Sequence, residues 1–361
     1  MTKRQIPLLG CAVLLAASGL GLTAPAASAA TTLHVAPGDS IQAAVDAAKP
    51  GDTVRIAPGT YRESVRITTS GITLRGAGEA TKLLPAPGAP TKTGKAAADS
   101  CAAAGNGICV QGTEAEPVEG VTLRSLSLSG YAKSGVWALW TDRLAVRQVS
   151  SDDNGTWGIA QERSTRSDLS GNSVSGNGDA GIFVANTVTE EAGATDTLGT
   201  RVRGNDMSGN RIGATVRRVR NLTVEDNHIT DNCAGLFLVG DESKPRAGAL
   251  TVRDNRIVAN NRSCPATARL PRIQGAGIVL TGTEDTLVES NTIWNNVGDS
   301  PFSGGVVLFK SVVGVPGTGN VVRGNVVLGN GSADLANRDT AGTGNRFDAN
   351  VCNVSEPAGL C

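Results

Sequence analysis

Residues 202–216 read VRGNDMSGNRIGATV, and their two Asn residues, five positions apart, begin a pattern that recurs along the second half of the chain. Complete Asn-x-x-x-x-Asn frames occupy positions 172/177, 205/210, 227/232, 255/260, 291/296, 325/330 and 345/350. Two degenerate frames precede them, one with Val149 and Asn154 and one with Leu126 and Tyr131. The second position recurs after 20 to 36 residues. A constant core with variable spacing is typical of a coiled repeat whose loops grow on one side.

Each unit predicts three short strands, because apolar-x-apolar segments lie before, between and after the two Asn residues. Asn tolerates the left-handed backbone of a sharp corner, and its amide can hydrogen-bond to the Asn one rung away. The third strand carries two nearly continuous aliphatic columns, which would stack at about 4.8 Å per rung into one core. The columns are Val136, Ile159, Ile182, Ala214, Leu236, Ile278 and Val306, then Ala138, Gln161, Val184, Val216, Leu238, Leu280 and Leu308.

Residues 1–29 have the pattern of a secretory signal peptide. Lys3 and Arg4 precede an apolar stretch, and Ala27-Ser28-Ala29 provides a small-residue cleavage site. Cleavage removes two of the 33 basic residues and leaves 31 against 33 acidic ones, a net charge of about −2. We therefore expect a secreted protein without a membrane anchor, and near-neutrality gives no support to a nucleic-acid partner.

Six cysteines remain after cleavage, and an even number in an exported chain predicts disulfides. Pairing of sequence neighbours is one of fifteen possible connectivities. It would join Cys101 to Cys109, Cys233 to Cys264 and Cys352 to Cys361.

The mature N-terminus predicts one short helix followed by strands. Ser40 can cap a helix that begins at Ile41 and that Lys49-Pro50-Gly51 ends. The segments IQAAV (41–45), GDTV (51–54), PGTY (58–61) and GITLRG (71–76) resemble the opening of right-handed parallel β-helix proteins of the pectin-lyase-like superfamily. The Asn frames resemble the same group, so the likeness extends over nearly all of the mature chain.

This resemblance implies an all-β protein: a single right-handed parallel β-helix with three strands per rung, about ten rungs and an N-terminal capping helix. The β-helix domain would be 30–361, with 30–80 as N-terminal cap and first strands, 121–350 as Asn-ladder repeats and 351–361 as C-terminal cap. Members include pectate and pectin lyases, polygalacturonases, alginate epimerases, copper carriers and proteins without known activity. Fold therefore does not settle function.

In this superfamily the substrate usually lies in a groove along one sheet, between long turns. The longer insertions here, 187–200, 241–249, 261–275 and 310–319, flank the third strand. Its outward positions include Trp137, Phe183 and Phe237, which we expect to stack on sugar rings. The alternative is that a long insertion covers these three rings.

Candidate acid–base residues on this strand are Glu162 and Arg217, two rungs apart, with Arg218 beside them. A polysaccharide lyase must neutralise a uronate carboxylate and remove the adjacent proton, which is work for Arg or Lys, often with Ca²⁺. A glycoside hydrolase, the second choice, needs two carboxylates, for which Asp152-Asp153 is a candidate pair.

Acidic residues that follow the third strand could hold Ca²⁺ or could form a soluble charged edge. They are Asp142, Glu190-Glu191, Asp241-Glu242 and Glu284-Asp285. Copper carriage by Met and His ligands is disfavoured, because the mature chain has only Met207, His34 and His228 of these two residue types. The Arg-x-Pro-x-x-Arg signature of pectate lyases begins at Arg269 but lacks its second Arg.

Two hypotheses follow. The first is a monomeric, carbohydrate-active protein that cleaves or binds an acidic polysaccharide. The second is a non-catalytic surface solenoid that docks a glycan or a protein.

Overall fold

The computed structural model describes residues 29–89, 100–190, 192–268 and 270–361. The chain winds into a parallel β-helix in which every named strand pair is parallel. Three faces follow one another in each rung, and we number them in the order in which the repeat enters them. The predicted signal peptide, apart from Ala29, and Arg269 of the incomplete lyase signature lie outside the described residues.

The third face is a sheet of eleven strands. They are Val65–Ile67, Ile108–Gln111, Ser134–Leu139, Trp157–Glu162, Ala180–Ala185, Ile212–Arg217, Ala234–Val239, Ala276–Thr281, Gly304–Phe309, Leu335–Asn337 and Ser355–Glu356.

The first and second faces form one sheet of twenty strands, because two long strands, Thr122–Ser129 and Ala145–Asp152, bend across the corner between them. The other strands of the first face are Thr32–Val35, Thr53–Ile56, Thr73–Arg75, Asp168–Ser170, Thr195–Arg203, Val219–Glu225, Thr251–Arg253, Leu287–Glu289, Val321–Arg323 and Arg346–Asp348. Those of the second face are Gly59–Arg62, Thr81–Leu84, Ser173–Ser175, Asp206–Ser208, His228–Thr230, Arg256–Val258, Thr292–Trp294 and Val326–Leu328. A separate small pair joins Val118–Glu119 to Thr141–Asp142.

The predicted N-terminal helix is present as Ile41–Ala47, and a 3₁₀ turn follows at Gly78–Ala80. The Ser40 hydroxyl accepts a hydrogen bond from the Ala43 amide at 3.2 Å, which is the expected N-cap. Ile41 and Val45 are buried against the first rungs, so the helix closes the end of the core. Within the described residues, no helix has the length and hydropathy needed to cross a membrane.

The interior is one continuous apolar column, and the predicted strand phase is correct. Val136 pairs with Ile159 and Ile159 with Ile182, all within 1% exposure, and the row continues to Leu335. Gln161 is the exception that the sequence indicated. It is buried among these aliphatic residues, and its amide atoms find no hydrogen-bond partner in the described part of the chain.

The Asn residues form two buried hydrogen-bonded ladders at the corners, as predicted. In each ladder the amide Nδ2 of one Asn donates to Oδ1 of the Asn on the next rung; Asn154 and Asn177 are 3.0 Å apart in this way. The backbone amide of Asn154 donates to the same oxygen, and Asn177 Nδ2 also donates to the Ser151 carbonyl. These bonds satisfy side-chain and backbone groups that burial would otherwise leave unpaired.

The two Asn residues of the last frame, 345/350, do not lie in the ladders that the sequence pattern predicted, which were those of the first and of the second Asn residues. Asn350 stacks on Asn325, in the column of first Asn residues, and Asn345 stacks on Asn320 in a short third ladder. The second-Asn ladder ends at Asn330, which donates to Asp334. Because neighbouring corners are all five residues apart here, spacing alone does not tell which corner an Asn occupies.

The six cysteines form three disulfides, as predicted, and of the fifteen connectivities left open the structure has the one between sequence neighbours. They join Cys101 to Cys109, Cys233 to Cys264 and Cys352 to Cys361, with Cα–Cα distances of 5.8, 5.9 and 5.3 Å.

Candidate functional site

The outward positions of the third face lie in one register, as the sequence predicted. Trp137 pairs with Ala160, which pairs with Phe183, and the row continues through Thr215, Phe237, Val279 and Val307. Most of this row is nevertheless buried, so that only one end presents an accessible side chain.

We call the rungs of Phe237, Val279 and Val307 the sealed end. The insertion 261–275 lies over Phe237, whose exposed fraction is 2%, and places Ile273 in the same apolar cluster. Phe302 packs edge-on against Phe237, with the ring centroids 5.2 Å apart. The predicted contact between Phe237 and a sugar ring does not fit this burial, and the covering insertion that we gave as the alternative is present.

An apolar cavity of about 250 Å³ remains beneath this cover. Its lining includes Ile212, Phe237, Leu270, Phe302 and Phe309. Polysaccharides need hydrogen-bonding groups as well as an apolar surface, and this lining offers few of them. The cavity is therefore a gap in the packing of the sealed end and does not have the chemistry of a sugar subsite.

We call the rungs of Trp137, Trp157 and Phe183 the open end. Phe183 is 4% exposed and stacks on Trp157, with ring centroids 4.4 Å apart, so it is also closed to a ligand, contrary to the prediction. Trp137 is half-buried. The ammonium of Lys133 lies 5.9 Å from the Trp137 ring centroid and 5.6 Å from that of Trp157, within the range of a cation–π contact.

Glu162 lies at the open end, but both of its carboxylate oxygens accept hydrogen bonds from the protein. One accepts from Trp137 Nε1 at 3.0 Å and the other from the Val188 amide at 3.0 Å. The residue is 5% exposed. Glu162 thus fixes the Trp137 indole and the start of the next turn, and its burial keeps a substrate proton away from the carboxylate.

Arg217 is two rungs from Glu162 through Ala185, as predicted, and is half-buried at the end of its strand. Arg218 is in the following turn at φ 52° and is 7% exposed. It forms a buried ion pair with Asp241 and donates to the Glu190 carbonyl at 3.2 Å. Arg218 therefore connects turns of neighbouring rungs.

Arginines pair with four of the acidic residues that we considered for Ca²⁺, namely Asp142, Glu190, Asp241 and Glu284, whereas Glu191 lies outside the described residues. Glu284 pairs with Arg220, and Asp142 pairs with Arg166 and Arg143. Although burial raises the pKa of Asp142, hydrogen bonds from Arg166 and Thr165 and the two arginine charges outweigh it and hold the pKa below its ordinary value. Among the described residues, no group of three or more His, Cys, Asp or Glu side chains is placed to hold a metal ion.

The candidate hydrolase pair, Asp152-Asp153, lies at a corner of the second face, away from Glu162. Asp152 accepts a hydrogen bond from the Ser175 hydroxyl at 2.8 Å, and Asp153 has a φ of 53°. The pair therefore shapes a turn. Glu162, the carboxylate considered for a lyase, and Asp152-Asp153, the pair considered for a hydrolase, do not lie at one site. Sequence reasoning did not single out Lys133 or Trp157, which lie beside Trp137 at the open end.

Solved structures with the same fold include the A-module of mannuronan C-5 epimerase AlgE6 from Azotobacter vinelandii, with a TM-score of 0.56 and 19% identity over 88% of this chain and 90% of that one. The periplasmic alginate epimerase AlgG is similar with a TM-score of 0.57 and 15% identity, over 83% and 68%. XylC in complex with xylose is similar with a TM-score of 0.58 and 11% identity, over 84% and 70%. At these identities the likeness is one of fold.

No curated protein matches the sequence significantly. A family model described as "Right handed beta helix region" matches residues 99–247 and 192–307. Together the two matches span residues 99–307, more than half of the 361 residues. The chain therefore belongs to the right-handed β-helix family.

Proposed function

We propose that the protein is exported and binds an acidic polysaccharide at the open end of its third face, without catalysing a reaction there. One observation carries the proposal: Trp137 is half-buried, its indole is held by the hydrogen bond from Nε1 to Glu162, and Lys133 lies beside it. The apolar C–H side of a sugar ring stacks on a fixed indole, and an ammonium beside it attracts a uronate carboxylate.

Binding fits the contacts of the candidate catalytic residues better than catalysis does. A general base must lie within hydrogen-bond reach of the proton that it removes, and burial at 5% exposure keeps a substrate from Glu162. Both Glu162 oxygens accept hydrogen bonds from the protein, and Arg218 is in an ion pair with Asp241. These side chains hold the turns around Trp137 in place.

The solved relatives support a saccharide as the ligand. AlgE6 and AlgG are described as epimerases of mannuronan and alginate, and XylC was solved with xylose. Export is supported by three disulfides, which persist in oxidising compartments, and by the periplasmic location in the name of AlgG.

A second candidate function, a polysaccharide lyase, is favoured by one observation. Glu162 and Arg217 share an outward column at a separation of two rungs, about 10 Å. For this function, the Glu162 carboxylate would have to exchange its hydrogen bond with Val188 for one with the substrate.

Affinity electrophoresis of the mature protein in gels containing alginate, polygalacturonate or neutral xylan tests the binding proposal. We expect retardation by the acidic polymers and weaker retardation of Trp137→Ala. Trp294→Ala is the matched control, because Trp294 is a half-buried tryptophan of the second face next to Arg256. Equal retardation of both variants and the wild type would refute binding at Trp137.

Incubation of the same polymers with the protein, with and without Ca²⁺, separates the two candidates. Ultraviolet absorbance from an unsaturated uronate would establish the lyase and contradict the proposal of binding alone. We expect no such product and no new reducing ends.

A further inference from the structure

A column of arginines lies on the outer side of the first face, which is a different face from the one that carries Trp137. The strand register places Arg55, Arg75, Arg124 and Arg147 side by side on four consecutive strands. At a strand spacing of about 4.8 Å, the column extends over roughly 14 Å. We call these four residues the arginine strip.

Three of the four guanidinium groups have no counter-charge within the described part of the chain. The side chains of Arg55, Arg75 and Arg124 form no ion pair or hydrogen bond with any described residue, and Arg124 Nε is buried without an acceptor. Arg147 pairs with Asp168 at 2.7 Å, but Arg203 also pairs with that carboxylate. The strip therefore presents an excess of positive charge, although the mature chain is close to neutral overall.

The same column is neutralised at the other end of the first face. Glu225 lies opposite Arg253, and Glu289 lies opposite Arg323, each joined by an ion pair. Opposite charges on neighbouring strands stabilise a sheet, and like charges directly opposite destabilise it. The unpaired strip is therefore less stable than the alternating charges at the other end of the same column. An external anion would reduce the repulsion between its arginines.

Threonines accompany the arginines two residues earlier on the same outward side. Thr53, Thr73 and Thr122 are in register with one another and are half-buried. A guanidinium binds a carboxylate with two parallel hydrogen bonds, and a hydroxyl can donate to or accept from a sugar hydroxyl. Side by side, the two columns provide guanidinium groups for the carboxylates and hydroxyl groups for the sugar hydroxyls of a polyuronate chain.

The strip leads into a groove of about 400 Å³ at the corner between the first and second faces. Arg124 and Arg147 line its near side, and Arg203 and the acidic Asp226 line its far side. Gly171 and Gly204 are at the corner, where a Cβ at Gly204 would meet no atom within 4 Å. The missing side chains leave room for a polymer to continue beyond the strip.

We propose that the arginine strip is a second binding site, for a linear polysaccharide that carries carboxylates and lies along the axis of the β-helix. No aromatic or large apolar side chain occupies the outward positions of these four strands between Thr53 and Arg147. Nucleic-acid bases would need an aromatic surface on which to stack, and a lipid surface would need apolar side chains to insert. The site is independent of the function proposed for Trp137.

The test is titration calorimetry of the mature protein with polygalacturonate fragments at low and at physiological salt. Made in the Trp137→Ala background, so that only the strip can bind, the triple variant Arg55→Gln, Arg75→Gln, Arg124→Gln should weaken binding roughly tenfold or more, since each substitution removes a charge-assisted contact. The double variant Arg253→Gln, Arg323→Gln is the control, because it removes the same residue type from the paired end of the same column. It should bind like the wild type, and wild-type affinity should fall as salt rises.

A single variant, Arg75→Glu, keeps the test valid if the triple variant does not fold. The new carboxylate would lie between Arg55 and Arg124, so we expect a raised thermal midpoint together with weaker binding of the polymer. Unchanged affinity in folded triple and single variants would overturn the proposal. Strip-dependent binding of single-stranded DNA or of phosphatidylserine vesicles in preference to polygalacturonate would overturn the choice of ligand. Loss of binding in Trp137→Ala with retention in the strip variants would overturn the strip and support the third-face site alone.

Discussion

The open and sealed ends of the third face carry the same outward column, yet they bury it differently. At the open end Trp137 is half-buried beside Lys133, whereas at the sealed end Phe237 is 2% exposed beneath Phe302 and the insertion 261–275. The repeat determines which side chains point outward. The insertions, which follow no repeat, determine which of them a ligand can reach.

The largest effect that distinguishes the two ends should come from Phe237→Ala. Removal of a fully buried ring next to an existing cavity of about 250 Å³ should lower the free energy of unfolding by about 3–5 kcal/mol. Urea unfolding followed by circular dichroism measures it. Trp137→Ala, in the same column, should cost clearly less, and an equal loss at both positions would mean that the two ends are packed alike.

The disulfide at the sealed end should have the next largest effect. Cys233→Ser with Cys264→Ser releases a loop with a sequence separation of 31, and we expect a loss of about 2–4 kcal/mol. Limited proteolysis should then cut first within 261–275. The control is Cys352→Ser with Cys361→Ser, whose separation of 9 should make the loss smaller. Cleavage that begins outside 261–275 would show that this disulfide does not hold the cover.

At the open end, Glu162→Gln should cost about 1–3 kcal/mol, because the new amide group can accept only one of the two hydrogen bonds and leaves a buried donor unpaired. Thermal unfolding measures the loss, and the emission of Trp137 should change with it. Glu242→Gln is the control, since Glu242 is exposed in a turn beside the sealed end. A neutral effect of Glu162→Gln would argue that Glu162 is free to act as a base.

The smallest expected effect is the loss of stability at low pH that comes from Asp142. The pKa of Asp142 is lowered in the folded protein, so its contribution to stability is complete above the unfolded value, near 3.8, and is lost as pH falls through the lower, folded value. Asp142→Asn should therefore lower the thermal midpoint at neutral pH, and the difference from wild type should vanish in strong acid. A difference in thermal midpoint that persists in strong acid would show that Asp142→Asn acts through packing and not through loss of the carboxylate charge.

The repeating part of the molecule was predictable from the sequence, because the same side-chain sizes and amide contacts recur from rung to rung. The inward columns, the Asn ladders and the N-terminal helix each follow from side-chain size or amide chemistry repeated at fixed corners. The frame at 345/350 was assigned to the wrong ladders because Asn320, five residues before Asn325, offers a corner with the same spacing.

The candidate site was less predictable, because it depends on contacts between segments far apart in sequence. Nothing near Phe237 in the sequence indicates that Ile273 and Phe302 will cover it. The partners of Glu162 also come from other rungs. The arginine strip did leave a sequence signal, because Thr-x-Arg recurs at 53–55, 73–75 and 122–124 on consecutive first-face strands.

The Asn ladders have a consequence for how such a protein can change its length. Each Asn donates in one direction along the row, so every interior rung offers the same acceptor to one neighbour and the same donor to the other. Asp334, which accepts from Asn330, ends one row with an acceptor alone. A whole rung, such as the 22-residue unit from Asn205 to Asn227, can therefore be duplicated or deleted without leaving an Asn of the ladder unmatched. Gene duplication can in this way adjust the reach of a binding face in steps of one strand spacing, while the interior keeps its composition.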